Sequence, residues 1–287
     1  MTGGGGDGDD VHELAREEVD RFLAGLRSRS GLDFRTYAPR SIGRRLRHLM
    51  LQDGVGDLDE LSTRVLRDDA SAAQFAARIC VKVTTMFRDP MFFGMLRQTV
   101  LPSLRELPFL RIWLAGCATG EEVYSVAIVL REEGLSRRSR LYATDVDASA
   151  LERAARGVYP LEVMREYTQH YQRAGGTAAF SDYYRVSAGA AALDPALRRD
   201  VVFSRHDLAT DASFNEFHLV LCRNVLIYFD PRLQERAHQL FWTSLAPDGF
   251  LALGAREVVP PQLARGRYDE VDAAYKIYRR RAVAEPP

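Results

Sequence analysis

The chain has 287 residues, 46% of them hydrophobic, with Lys+Arg and Asp+Glu each numbering 39. That length can bury a large core and suits one large domain beside a smaller one, and neutrality removes any global bias towards nucleic acid or membrane. Three widely spaced cysteines, Cys80, Cys117 and Cys222, argue against a disulfide framework or a metal cluster, and no apolar run reaches the ~20 residues of a spanning helix. No signal peptide precedes the first helix, so a cytoplasmic protein is expected.

Residues 1–10 are glycine-rich and acidic with nothing to bury, and are expected to be a disordered tail. From Val11 the pattern turns helical, with Leu14, Val19, Phe22, Leu23 and Leu26 at three-to-four spacing and Gly31 closing the segment. A second helix follows Pro39, its apolar side formed by Ile42, Leu46, Leu49 and Met50. Shorter helices over 57–66 and 71–80 complete a helical unit spanning 11–85. Between Arg27 and Arg47 seven arginines stand against one acid, Asp33. Arg40, Arg44, Arg45 and Arg47 of the second helix read either as a solvated face or as a docking surface for an acidic helix or a phosphate backbone. Sparse aromatics disfavour nucleic acid.

At the junction, the β-branched run Val81, Val83, Thr84, Thr85 leads into Phe87, Arg88, Asp89 and Pro90, where Pro90 suits a first helical turn and Asp89 its N-cap. Arg88 lies at the surface or points inward at an anionic group, which its five donors suit. From Leu110 strands and helices alternate, the mark of a parallel α/β sheet. Strands are expected over 111–115, 141–144, 201–204 and 217–222, helices over 121–133, 149–156 and 231–245, and a closing pair at one edge over 250–253 and 274–278. The segment 111–125, RIWLAGCATGEEVYS, is strand, small-residue loop and acidic helix start, a backbone cradle for a nucleotide-type or adenosyl-type ligand. Asp145, at the end of the second strand, reads singly as a helix N-cap or turn residue and, together with the loop, as an acceptor for ribose hydroxyls, a feature that a nicotinamide cofactor would share. Glu121 and Glu122 disfavour a pyrophosphate and suit S-adenosylmethionine, which carries a sulfonium and an amino group. Arg223 and Asn224 end a strand where neither belongs unpaired in a core.

The segments T-x-M-F-R-D-P, RIWLAGCATGEEVYS, A-T-D-V-D, CRNVLIYFD and PDGFLALG together closely resemble the CheR-type chemotaxis receptor methyltransferases, protein-glutamate O-methyltransferases, over nearly the whole chain. The resemblance implies a class I S-adenosylmethionine-dependent fold, Rossmann-like, with a mostly parallel seven-stranded sheet and antiparallel edge. It also implies a helical N-terminal domain, a catalytic domain over 86–287 and an inserted antiparallel subdomain over 160–199. Methylation of glutamates on chemoreceptor cytoplasmic helices is the implied activity, with S-adenosylhomocysteine as product.

Carried over by residue, Thr84 and Arg88 contact the methionine end of the cofactor, Gly116 and Gly120 shape the loop, and Glu122 binds the amino end. Asp145 takes the ribose, Asp207 and Leu208 flank the adenine, and Arg223 and Asn224 complete the pocket. Arg88 and Tyr228 are the catalytic pair, acting by position. The arginine helix corresponds to the receptor-facing helix. No metal, nucleic acid or membrane insertion is implied, and a monomer is expected. Lys82 departs from the family's usual Asn, and the insert is alanine- and glycine-rich with Tyr183, Tyr184 and Val186 its clear strand-like cluster, which puts tail-dependent docking on the receptor in doubt. The competing readings are a cofactor-binding regulator without methyl transfer, a nucleic-acid methyltransferase and a pure adaptor. The presence of Arg88 and Tyr228 weighs against the first.

Overall fold

The computed structural model describes residues 14–80 and 84–282, so the tail at 1–10, the helix start at Val11 and Lys82 with its two valine neighbours lie outside the described residues. The chain divides into two compact units, Met1–Ile79 and Cys80–Pro287.

The first unit consists of α1 (Arg16–Ser30), α2 (Pro39–Asp53), α3 (Leu58–Val65) and α4 (Asp69–Ile79). Its ends follow local rules. Gly31 and Gly54 close α1 and α2 in the left-handed conformation, Pro39 opens α2 in its first turn, and the Asp57 carboxylate accepts from Glu60 N at the start of α3. Phe22, Leu26, Leu46, Leu49, Leu61 and Phe75 are buried as the apolar stripes meet.

In the second unit the chain enters through α5 (Pro90–Met95), loosens into a π turn over Leu96–Val100 and ends the helix as α6 (Leu101–Leu104). Pro102 cannot donate to the preceding turn, which accounts for the irregularity there. The strands are β1 (Leu110–Ala115), β2 (Ser139–Asp145), β6 (Val201–Arg205), β7 (Phe217–Cys222), β8 (Leu245–Leu253), β9 (Tyr268–Asp272) and β10 (Ile277–Arg280). They form one sheet in the order β6-β2-β1-β7-β8-β10-β9. Five strands run parallel, and β10 is antiparallel to both its neighbours. Around them lie α7 (Glu121–Glu132), α8 (Ala148–Arg156), α10 (Pro231–Ser244) and the short α11 (Pro261–Ala264). This is the mostly parallel seven-stranded sheet with an antiparallel edge that the resemblance implies. The edge departs from expectation in carrying the additional polar strand β9, and β10 begins three residues later than the patterning suggests.

The insert is a second sheet, β3 (Val158–Pro160), β5 (Ala190–Leu193) and β4 (Tyr184–Ser187), ordered β3-β5-β4 and antiparallel throughout. Ala188 and Gly189 both take positive φ, 47° and 76°, which closes β4 onto β5 by a two-residue turn of the kind that matches strand twist. Helix α9 (Met164–Arg173) sits within the insert. The carboxylate of Glu132, on α7, accepts from Tyr183 Oη at 2.9 Å, from Thr177 N at 3.1 Å and from Tyr171, and pairs with Arg97, which ties the insert to the main sheet's helix layer.

Candidate functional site

Strand β1 stops at Ala115 because Gly116 turns the chain with φ 74°. A Cβ at Gly116 would come within 2.5 Å of Val225 Cγ2, so the neighbour as well as the turn demands glycine. Gly116 N and Cys117 N both donate to Thr144 O, at 2.8 and 2.9 Å, and Ala118 N donates to Asp145 Oδ2 at 2.8 Å. The small-residue loop is thereby lashed to the end of β2. Gly120, φ 93°, hands the loop to α7, whose N-terminal amides open beside it.

Asp145 also accepts from Asp147 N at 2.9 Å, and burial raises its carboxyl above the ordinary range against the pull of those backbone donors. The cap of α8 is Asp147, which accepts from Ser149 N and Ala150 N. Asp145 therefore ties the small-residue loop, through Oδ2, to the approach to α8, through Oδ1, and leaves the capping of the helix to Asp147.

The two glutamates that open α7 part company. Glu121 is buried, accepts from Thr119 Oγ1 at 2.7 Å, and its carboxyl is pushed up to about 7 by desolvation. Tyr159 Oη closes the same pocket on Thr119 O at 2.8 Å. Glu122 stays partly exposed and pairs with Arg223 Nη1.

Arg223 is the knot of the site. Its side chain is 2% exposed and its guanidinium lies 4.0 Å over the Phe92 ring. Nη2 donates to Asp89 Oδ2 at 2.8 Å and to Arg88 O at 3.1 Å, while Nη1 serves Glu122. One side chain at the end of β7 thus joins the Arg88 turn to the start of α7, in the forked geometry that only arginine supplies. Asp89 stands at the N-cap position of α5 but makes no side-chain cap; its carboxylate goes to Arg223 instead. Phe87 and Asp89 hold φ of 53° and 56°, sparsely populated for such residues, on either side of Arg88. Phe87 N is held by Ser125 Oγ at 2.8 Å, so the strained turn is fixed from both flanks.

Asn224 and Tyr228 follow Arg223. Asn224 has φ 62°, and its Oδ1 is buried without a hydrogen-bond partner. Tyr228 ends the 3-10 turn Leu226–Tyr228 and is half-buried. The peptide N–H groups of this loop converge on Glu257, a buried carboxylate that sequence reasoning passed over. Asp207 and Leu208 follow His206, whose N donates to Asp145 O at 3.1 Å, and Asp207 Oδ1 accepts from Ala209 N at 2.8 Å while Leu208 is buried. Thr84 stands half-buried just ahead of the buried pair Met86 and Phe87. Three hydrogen-bonded groups therefore lie at the carboxyl ends of adjacent strands: Gly116 with Asp145 beyond β1 and β2, and, beyond β7, Arg223 with Glu122 and the Arg88 carbonyl, and Asn224 with Glu257. Gly120, Asp207, Leu208 and Tyr228 flank them along the chain, and Thr84 enters from the preceding segment.

The arginines of α2 belong to the other unit. Arg40 and Arg44 are exposed and Arg47 is half-buried, and with Leu51, 79% exposed, they fall on one helical face. Arg45 turns to the helical core and donates to Arg78 O from both Nε, at 3.0 Å, and Nη2.

This donor set fits S-adenosylmethionine. The buried orphan Asn224 Oδ1 and the carboxylates of Glu122 and Asp145 offer acceptors around a small-residue turn, as an amino group and ribose hydroxyls require and a pyrophosphate does not.

Comparison with known proteins agrees. Residues 82–274 match the CheR methyltransferase, SAM binding domain, and residues 17–80 match the CheR methyltransferase, all-alpha domain. A Pseudomonas putida protein named Cher3 is 43% identical over 92% of this chain and 96% of its own length. The chemotaxis protein methyltransferase of Listeria monocytogenes is 31% identical over 80% of this chain and 85% of its own. Chemotaxis protein methyltransferase 1 of Pseudomonas aeruginosa is 30% identical over 85% and 91%. The chain belongs to the CheR methyltransferase family, with S-adenosylmethionine as its cofactor.

Proposed function

We propose that the protein methylates glutamate side chains on the cytoplasmic helices of chemoreceptors or similar signalling receptors, giving glutamyl methyl esters. The observation that carries the reading is the Arg223 clasp, which holds the Arg88 turn against Glu122 at the mouth of the glycine loop. Bound cofactor supplies a methyl group on an electron-poor sulfonium. The acceptor carboxylate, of pKa near 4.3, is already ionised at neutral pH, so no general base is required. What remains is alignment of carboxylate oxygen, methyl carbon and sulfur, which alone can lower a barrier by roughly 7 to 11 kcal/mol.

In this reading Glu122, oriented by Arg223, receives the amino end of the cofactor, Asn224 Oδ1 accepts beside it, Asp145 takes the ribose, and Asp207 and Leu208 flank the adenine. Gly116 and Gly120 keep the loop close. Thr84 and Arg88 face the methionine end, and Arg88 and Tyr228 position the reacting atoms. Arg223, with its donors on Glu122, Asp89 and Arg88 O, acts through those groups. Arg40, Arg44 and Arg47 form the receptor-facing surface of α2, while Arg45 holds α4 in place. The domains run 11–85 and 86–287, with the insert over 160–199, and the protein acts as a cytoplasmic monomer. Peptide mapping of a receptor cytoplasmic fragment after incubation with S-adenosylmethionine tests this. A gain of one methylene on glutamate is expected, and a gain on lysine, arginine or nucleic acid alone would refute it.

A further inference from the structure

We propose that Glu257 is a positioning residue for methyl transfer: its carboxylate, gripped by five backbone N–H groups, sets the loop that carries Asn224 and Tyr228. The inference rests on the functional reading above. Oε1 accepts from Val225 N at 2.8 Å, Leu226 N at 2.7 Å and Ile227 N at 3.3 Å. Oε2 accepts from Asn224 N at 2.9 Å and Gly254 N at 2.6 Å. Four of these donors are consecutive, so the peptide chain after β7 wraps into an anion-binding concavity, and the anion it holds is the protein's own side chain.

An ordinary turn cap satisfies one or two amides, whereas Glu257 binds two segments some 30 residues apart and is 4% exposed. The site is built around it. A Cβ at Gly254 would stand 2.7 Å from both Asn224 N and Glu257 Oε2, so only glycine lets the end of β8 close on the carboxylate. Asn224 holds its left-handed φ within this grip, with Oδ1 left over as an acceptor. Val225, whose N–H is also gripped, is the residue whose methyls crowd Gly116. Glu257 therefore registers the Asn224–Tyr228 loop against the glycine turn without occupying the cofactor pocket itself.

Glu257→Gln keeps the shape but turns an amide NH2 towards peptide donors, and Glu257→Asp keeps the charge but draws it back by one methylene. Calorimetric titration with S-adenosylhomocysteine, well below the melting temperature, reads the effect without any acceptor. Glu257→Gln is expected to weaken binding at least tenfold and to lower kcat on the receptor fragment, with Glu257→Asp in between. A folded Gln variant with wild-type affinity and wild-type kcat, losing only thermal stability, would overturn the proposal. Should the Gln variant fail to fold, the same comparison on the Asp variant decides, since unchanged affinity and kcat there overturn it equally. If the wild-type chain methylates no receptor, the glutamate reading fails, while the homocysteine titrations still judge Glu257.

Discussion

Arg223 and the α2 arginines put one residue type to opposite uses. Arg223 is 2% exposed, stacked on Phe92 and clasped by Asp89 and Glu122, whereas Arg40 and Arg44 project from a helix whose buried face is wholly apolar. A buried guanidinium is tolerated only when its charge and donors are met, and once met it locks the groups it touches. A solvated guanidinium is worth little to its own fold and is left for a partner, at a strength that salt can screen. Geometry is made by the first kind, and the proposed function gives encounter to the second.

The comparison breaks most visibly at the site itself. Arg88→Ala is expected to lower turnover about a hundredfold or more with the fold intact, since loss of alignment alone costs that much. Circular dichroism beside labelled methyl transfer checks it, and unchanged transfer by a folded variant would remove Arg88 from the mechanism. Arg223→Ala should cost about 3 kcal/mol of stability, because it empties a buried site over Phe92 and leaves Glu122 and the Arg88 carbonyl without their donor, and should weaken S-adenosylhomocysteine binding with it. Chemical denaturation and calorimetry read both; a variant weakened in stability but not in affinity would reduce the clasp to scaffolding.

Glu121 sharpens the same contrast between buried and solvated charge. The folded protein holds its proton up to about 7 against an ordinary 4.5, so stability present below 4.5 is lost as pH rises through 7. Glu121→Gln removes that loss, worth roughly 3 kcal/mol at most, and retains the Thr119 hydroxyl as partner. Its melting temperature should exceed the wild type's above pH 7 and converge with it below 4.5; identical profiles for the two proteins would contradict the burial argument. The smallest effects belong to α2. Reversing Arg40, Arg44 or Arg47 to Glu should raise KM for the receptor a few-fold each, more at low salt, with cofactor affinity unchanged. A salt-independent KM would mean that this face does not meet the receptor.

The central strands and the glycine loop are legible in sequence because both are local. Buried parallel strands show as apolar runs, and Gly116 and Gly120 mark turns by residue type alone. The edge and the insert are less so. β9 reads Tyr-Asp-Glu-Val-Asp, too acidic for a core strand, and β5 is three alanines and a leucine, which carry no strand preference until a neighbour pairs with them. Arg223 and Asn224 announce themselves as odd at a strand end, yet Asp89, the partner 134 residues earlier, cannot be deduced from spacing. Glu257 is the least legible, since its donors are peptide groups and every residue type but proline supplies those. Its one signal is a carboxylate set between a strand-ending glycine and two valines, where an unpaired charge would be costly.

The most direct test of the account is the chemistry of the product. Incubation of the protein with methyl-labelled S-adenosylmethionine and a receptor cytoplasmic fragment, followed by alkali, should release the label as methanol, the mark of a carboxyl methyl ester. Label that stays on the protein through alkali would contradict glutamate methylation and, with it, a site that works by alignment of an acceptor already ionised.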